Sequence, residues 1–262
     1  MARYLRLYAA FLRFSFSRAF EFRFDFYFRV AMDVIFYAVS LGFFHVLYRH
    51  TSNLGGWTEA QAYIFVSGFL MVDAIHMTFF SNNQWWLPIF INRGDLDYHL
   101  TRPVSSLFML SLREFAANSF LNLVLAAGLM AWAIGRYPEP LGAGRIALFA
   151  TLLVAGAVLR YLVRMCFIIP VFWLHSNNGL NEINWSLDEL SDRPHQIFYG
   201  ATRLALLTVL PFGVIVSVPA HALFGAAPWT SALHVAAVVV GYFVVVVAWW
   251  QMGLRAYSSA SS

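Results

Sequence analysis

The sequence predicts an all-α integral membrane protein with six transmembrane helices, preceded by an N-terminal helix that lies in the membrane interface. Of the 262 residues, 60% are hydrophobic and only 11% are charged, whereas an ordinary soluble domain has roughly 25% charged residues. The mean hydropathy is +0.65. Aromatic residues make up 18% of the chain, and many stand at the ends of apolar runs, where amphipathic rings favour the boundary between membrane and water. We expect residues 1–262 to form one transmembrane domain.

The first 26 residues are too interrupted by charge to span a bilayer. On a helix, Arg3, Arg6 and Arg13 fall within about 80° of one another, opposite a face of Leu, Phe and Tyr. This pattern predicts an amphipathic helix over residues 1–26, lying in the cytoplasmic interface. A disordered basic tail is the alternative interpretation.

Six later runs are apolar enough to span. A transmembrane helix needs about 20 mostly apolar residues, and the runs that meet this rule are 27–48, 60–80, 106–134, 145–174, 201–225 and 231–254. The connectors between them are 49–60, 81–105, 135–144, 175–200 and 226–229.

The distribution of arginine predicts the orientation of these spans. With the N-terminus inside, eleven arginines fall on the cytoplasmic side and only three, Arg49, Arg136 and Arg145, fall on the opposite side. Cytoplasmic loops of membrane proteins carry the excess of positive charge. Both termini and the two long connectors, 81–105 and 175–200, are therefore predicted to be cytoplasmic.

Composition also excludes several kinds of chemistry. All 17 basic residues are arginine, so the chain has neither the lysine of a phosphate-binding Walker A loop nor a Schiff-base lysine. Cys166 is the only cysteine, which rules out an internal disulfide. We find no G-x-S-x-G elbow and no H-E-x-x-H motif, and no basic soluble domain that would bind nucleic acid. We therefore predict no catalytic residue, no metal site and no nucleic-acid partner.

Several ionisable residues fall inside or near predicted spans, and the polar candidates among them are Asp73, Glu114, Arg160 and Arg164. An ionised side chain at the bilayer centre is costly, so such residues usually face the protein interior, water or a partner. The two arginines are four residues apart and share a helix face, and the two acids are the candidates to pair with them. The group is either a polar pathway or gating network, or a structural pair that fixes helix register.

The connector 81–105 carries a charged segment between Gly94 and Pro103. It has room for about two helical turns, with Asp95 in position to cap them. Three residues would share one face: Leu96, His99 and Leu100. A short helix of this kind is suited to dock a cytoplasmic partner, and an ordinary solvated loop is the alternative.

The connector 175–200 has a second segment with similar features. Ile183, Leu187 and Leu190 alternate with acidic residues before Pro194, which predicts a second amphipathic helix on the cytoplasmic side.

Three stretches resemble a known family. They are RGDLDYHLTRPVSSLF after the second span, RPHQIFYGATRLALLTVLPFGVIVSVPAHALFG around the fifth, and GLRAYSSAS at the end. Together they look like the ABC-2 type permease subunits of bacterial ABC transporters, in a compact six-span subgroup formerly classed as a domain of unknown function. The strongest part is a G-x-L-D-x-x-L-x-x-P pattern at Gly94, Leu96, Asp97, Leu100 and Pro103. In the fifth span the matching residues are Pro194, Tyr199, Pro211 and Pro219.

The resemblance implies an exporter in the bacterial cytoplasmic membrane, in which two permease subunits pair with two cytoplasmic ATPase subunits. ATP and magnesium would bind the ATPase, and no cofactor would bind this chain. The second permease would be another copy or a different homologue, surrounded by membrane lipid. The implied ATPase-coupling residues are Gly94, Asp95, Leu96, Asp97, Leu100, Arg102, Pro103, Ile183, Leu187 and Leu190.

Two other functions stay open on the residues alone. One is an ion-coupled secondary transporter that uses Asp73, Arg160 or Arg164, although the sequence has no inverted repeat of the kind found in many such carriers. The other is a membrane enzyme or an assembly scaffold. The substrate is not indicated.

Overall fold

The chain folds almost entirely into helices. The computed structural model describes residues 2–19, 23–54, 56–176, 178–225 and 228–257. The α-helices are α1 (Ala2–Ala19), α2 (Arg23–His50), α3 (Glu59–His76), α4 (Asn82–Arg93), α5 (Leu96–Leu100), α6 (Ser106–Leu112), α7 (Phe120–Gly135), α8 (Ala143–Ile168), α9 (Val171–Leu174), α10 (Asn178–Asp188), α11 (Gly200–Leu207), α12 (Phe212–Ile215), α13 (Ser217–Phe224) and α14 (Pro228–Ala256).

The all-α membrane fold is confirmed. The chain is 83% helical, and the described residues form no strand. Among those residues, four helical stretches are long and apolar enough to cross a bilayer: Val30–His50, Glu59–Arg93, Ala143–Leu174 and Pro228–Ala256. They correspond to the first, second, fourth and sixth predicted spans.

The second span is longer than the sequence predicts. Its helix begins after Thr58, whose side chain and that of Gln61 form a reciprocal capping box. It then continues past residue 80 through a π-helical segment, Met77–Ser81, and on through α4 to Arg93. Residues 81–93 are therefore helix, which corrects their assignment to a connector. Their polar side chains look like loop residues in the sequence, but Asn83 and Gln84 are buried and hydrogen-bonded inside the protein.

The third span is interrupted. The predicted run 106–134 divides into α6 and α7, with residues 113–116 in neither helix and a 3₁₀ turn at Ala117–Ser119. Hydropathy measures the composition of a window, so it does not detect a break in the helix. A crossing at this position stays a prediction.

The fifth span is also discontinuous, and the connector before it folds back into the helix bundle. The predicted run 201–225 divides into α11, α12 and α13. Before it, α10 runs antiparallel to the last part of α8: the Arg164 guanidinium lies over the Trp185 ring at 4.8 Å, and one turn earlier in α8 Arg160 contacts Asp188. Leu174 is the last residue of the fourth membrane-crossing stretch, and Arg160 lies about 21 Å of helix before that end. Helix α10 thus reaches well into the length of this stretch. The connector 175–200 is therefore not simply a surface loop.

Two hydrophobic clusters hold the helices together. The larger one includes buried residues of α3, α7, α8, α12 and α13. The smaller one joins the end of α4, α5 and α6 to the last turns of α8 and α14, with Leu96, Met165 and Trp250 among its members. The short helix α5 thus belongs to a cluster that also includes residues of four longer helices.

The N-terminal helix α1 ends at Ala19, and α2 begins at Arg23. The residues predicted as one interfacial segment, 1–26, therefore include all of α1 and the first residues of α2, whose apolar stretch begins at Val30. Residues 20–22 lie outside the described part of the chain. Helix α1 contacts α6: the Tyr4 and Phe108 rings meet edge to face with centroids 4.8 Å apart.

Candidate functional site

Helix α5 is a short helix with one buried and one exposed side. Gly94 ends α4 in the left-handed conformation (φ 82°), which glycine adopts without strain, and turns the chain into α5. Leu96 is fully buried in the smaller cluster. Tyr98 is 64% exposed and Leu100 is 39% exposed. Leu96 and His99 are covered by the protein, whereas Leu100, at the other end of the helix, is only partly covered.

His99 fixes α5 from its buried side. The Arg113 guanidinium donates to His99 Nε2 at 3.2 Å, and the ring of Phe90 lies 5.6 Å from the imidazole. Burial, together with the positive charges of Arg113 and Arg102, lowers the pKa of His99 below its ordinary value. The imidazole is therefore neutral at pH 7 and accepts a hydrogen bond from the first residue after α6.

The charged residues around α5 have different surroundings. Asp95 is exposed and Asp97 is half-buried. Burial and, to a smaller extent, the negative charge of Asp97 raise the pKa of Tyr257, the residue after α14. The Arg102 guanidinium stacks on Tyr98 at 4.4 Å from the ring centroid, and Pro103 is exposed. The exposed surface of α5 and its flanking residues therefore includes Asp95, Tyr98, Leu100 and Pro103.

The break between α6 and α7 is stabilised by polar groups from other helices. Asn83 forms a pair of hydrogen bonds with the backbone of Glu114: its Nδ2 donates to the carbonyl at 2.8 Å, and the Glu114 N–H donates to its Oδ1 at 2.9 Å. The Phe115 N–H donates to Ser15 Oγ at 3.2 Å, and the Ala116 N–H donates to the Thr78 carbonyl at 2.9 Å. Three successive amides that would otherwise lack partners are satisfied, which a break in an apolar environment requires.

The π-helical segment is bordered by a further buried hydrogen-bond chain. His76 Nε2 lies 2.9 Å from Gln84 Oε1, and Gln84 Nε2 donates to the Tyr161 carbonyl at 3.0 Å. The Tyr161 hydroxyl in turn contacts Ser111 Oγ. These contacts join α3, α4, α6 and α8. Sequence reasoning missed Asn83 and Gln84, because polar residues after an apolar run are typical of the start of a loop. It also missed Thr78, which lies inside the predicted span 60–80.

The ionisable residues predicted inside the spans separate into two groups. Arg160 binds two carboxylates, Asp73 at 2.7 Å and Asp188 at 2.5 Å. Arg164 stacks on Trp185 next to this group. Glu114 does not join them, since it pairs with the adjacent Arg113 at 3.0 Å. Asp188 was not among the candidates, because it lies in a segment interpreted as a cytoplasmic connector.

The second predicted docking segment is mostly involved in internal packing. Leu187 and Leu190 are half-buried and pack against the larger cluster. Ile183 is 51% exposed. Of these three residues, only Ile183 presents an apolar side chain to a partner. Among the described residues, no group of three or more His, Cys, Asp or Glu side chains could hold a metal ion.

Comparison with known families decides the identity. The family model of the ABC-2 family transporter protein matches residues 34–261. The chain belongs to the ABC-2 transporter family. No curated protein and no solved structure matches it. As an ABC-2 membrane protein it is a multi-pass component of a transporter, and in this ABC-2 protein the G-x-L-D-x-x-L-x-x-P pattern coincides with α5 and its two flanking turns.

Proposed function

We propose that this chain is the permease subunit of an ATP-driven ABC exporter, coupled to a separate cytoplasmic ATPase through α5. The observation that carries the proposal is the two-sided character of α5. Leu96 is buried in a cluster that includes residues of four other helices, and His99 contacts Arg113 and Phe90, while Asp95, Tyr98 and Leu100 stay uncovered. A docking element needs both properties: an exposed surface for the partner, and a rigid attachment to the parts that are to move.

Force applied to α5 has two routes into the membrane domain. One route passes through Gly94 into α4 and the π-helical segment of the second span. The other passes from His99 to Arg113 at the break between α6 and α7. Both routes reach irregular backbone, where a helix changes direction more easily than in a regular segment.

The nucleotide chemistry belongs to the partner in this proposal. The chain has no lysine, so it has no Walker A loop, and ATP and magnesium are expected on the ATPase subunit. The functional unit pairs this permease with a second copy or with a homologous permease. The proposed location is the bacterial cytoplasmic membrane, with both termini and α5 on the cytoplasmic side.

An ion-coupled carrier is the second candidate, and the buried Asp73–Arg160–Asp188 group is the observation that favours it. Intramembrane carboxylates are typical of proton and ion pathways. Both carboxylates, however, contact the same guanidinium, an arrangement that also serves to hold α3, α8 and α10 together. The exporter is therefore the better-supported function.

The test uses two surface substitutions, one just before α5 and one at its end, and one matched control. If the wild-type chain co-purifies with a P-loop ATPase, we expect Asp95→Arg and Leu100→Asp to abolish that co-purification, because they change the docking surface without disturbing the buried side. Glu139→Arg makes the same charge change at an exposed position in the loop between α7 and α8, and should retain the ATPase. Recovery of the ATPase at the wild-type level by both α5 variants would falsify the assignment.

A further inference from the structure

A cleft lies between the N-terminal helix and the segment that follows α5. Its volume is about 400 Å³, and it is lined by Arg6, Leu7, Arg102, Pro103, Val104 and Met109. Pockets that bind small ligands usually measure roughly 300–1,000 Å³. The geometry points to a binding site for one anionic phospholipid, with the phosphate on the two arginines and the upper part of an acyl chain on the apolar wall.

The two sides of this cleft are held at a fixed distance. The Ser105 N–H donates to the Tyr4 hydroxyl at 3.4 Å, and the Tyr4 ring packs on Phe108. About three turns further along α1, the Ser15 hydroxyl accepts from the Phe115 N–H. With α1 attached at both points, the cleft is a built feature of the protein and not a gap beside a loose terminus.

The two arginines have no carboxylate partner in the described part of the chain. Arg6 is exposed and forms no ion pair there. Arg102 stacks its guanidinium face on Tyr98, which orients the group and leaves its N–H edges available to a phosphate. Guanidinium groups bind phosphate oxygens through charge-assisted, often bidentate, hydrogen bonds. Two such groups in one cleft favour an anionic ligand.

The remaining lining residues specify an amphiphile. Leu7, Pro103, Val104 and Met109 are apolar, and such a wall contributes nothing to the binding of a free inorganic anion. Helix α1 is amphipathic and precedes the first span, so the cleft belongs to the interfacial zone where headgroups and the first methylenes of lipids are found. Charge and apolar surface together fit a phospholipid that carries a net negative charge.

This inference goes beyond the proposed function, because the lipid site requires no ATPase. Its physical effect is to connect α1 to the segment after α5. The lipid would hold the docking surface at a set depth relative to the headgroups.

The test is native mass spectrometry of the full chain in detergent, titrated with phosphatidylglycerol or with phosphatidylcholine of the same acyl chains. We expect one phosphatidylglycerol to bind preferentially. The double variant Arg6→Gln/Arg102→Gln should weaken that binding at least about tenfold, since each basic residue contributes to anionic-lipid affinity.

The matched control is Arg49→Gln/Arg136→Gln. It removes the same net charge from two exposed arginines, and Arg136 stacks on Trp132 much as Arg102 stacks on Tyr98. It should bind phosphatidylglycerol as the wild type does. Equal losses in the two double variants, equal affinity for the two lipids, or displacement of the lipid by millimolar inorganic phosphate would each overturn the proposal. The single variant Arg6→Gln, at an exposed position, gives the same comparison if the double variant is poorly folded.

Discussion

Arg160 holds two carboxylates that belong to different helices. Asp73 lies in α3 and Asp188 ends α10, and all three side chains are largely buried. In a medium of low dielectric constant, a charged group is tolerated only when opposite charges and hydrogen bonds surround it. Removal of the central arginine leaves two carboxylates close together with no neutralising charge between them. This residue therefore controls the attachment of α10 to the membrane helices.

We predict that Arg160→Met lowers the free energy of unfolding by about 3–5 kcal/mol, measured by thermal unfolding in detergent. The triple variant Arg160→Met/Asp73→Asn/Asp188→Asn should recover most of this loss, because no unpaired charge remains. The control is Arg193→Met, which breaks a surface pair with Asp192 whose side chains are 62% and 46% exposed. It should change stability by less than about 1 kcal/mol.

The same series separates the two interpretations of this cluster. If it is structural, the stable triple variant retains transport. A triple variant that is stable but inactive would identify the cluster as part of a polar pathway.

The sequence predicted part of this cluster. The spacing of Arg160 and Arg164 and the position of Asp73 in an apolar run marked three charges that need partners. Asp188 was not predicted, since a pattern of leucine and acidic residues in a connector is equally typical of a surface helix. Only the fold-back of α10, a tertiary event, brings that carboxylate to Arg160.

At the scale of the elements, two interrupted segments pack against continuous helices. Helix α12 crosses α8 where a glycine lets the backbones touch: a Cβ atom added to Gly156 would lie 2.1 Å from the Ile215 carbonyl oxygen. No side chain fits in that space. The position of the discontinuous fifth segment therefore depends on one glycine in the fourth.

Replacement of this glycine tests the contact. We predict that Gly156→Ala destabilises the protein by about 1–3 kcal/mol. The nearest atom is the backbone carbonyl oxygen of Ile215, which cannot move away as easily as the end of a side chain. Gly144→Ala in the same helix is the control: a Cβ there has no neighbour within 4 Å, so the change should be neutral or stabilising by up to about 1 kcal/mol. Equal thermal midpoints for the two variants would show that α8 and α12 are not in close contact.

Element boundaries were predictable where local chemistry sets them. Thr58 and Gln61 form a capping box, and Gly94 ends a helix with positive φ. Breaks inside apolar runs were not predictable, because the groups that satisfy them, such as Asn83, Thr78 and Ser15, come from distant segments of the chain.

At the scale of the whole molecule, the first and last spanning helices are poorly covered. Large apolar side chains are exposed along α2, including Val39 and Phe43, and along α14, including Val240 and Val244. In a multi-pass membrane protein such surfaces are available to contact lipid or another membrane protein. The arginine distribution predicts how the bundle is oriented between the two sides of the membrane.

Cysteine labelling checks this orientation. In a Cys166→Ala background, which removes the only native thiol, we predict that Ser52→Cys reacts with a membrane-impermeant maleimide on intact cells. Thr101→Cys should react only after permeabilisation. Both positions are exposed. The reverse pattern would place α5 on the outer side, where no cytoplasmic ATPase could reach it.

In the proposed exporter, the π-helical segment inside the second span would be a pivot and α4 a lever arm. Its 12 residues extend about 18 Å beyond the pivot, so a rotation of about 15° at the pivot displaces the far end by about 5 Å, close to the pitch of one helical turn. Helix α4 also contains Pro88, which lacks an amide hydrogen and favours a kink, so the displacement at the far end depends on how straight the helix stays. For a given rotation of a straight helix, the displacement of the far end of α4 is set by the position of the pivot along the helix.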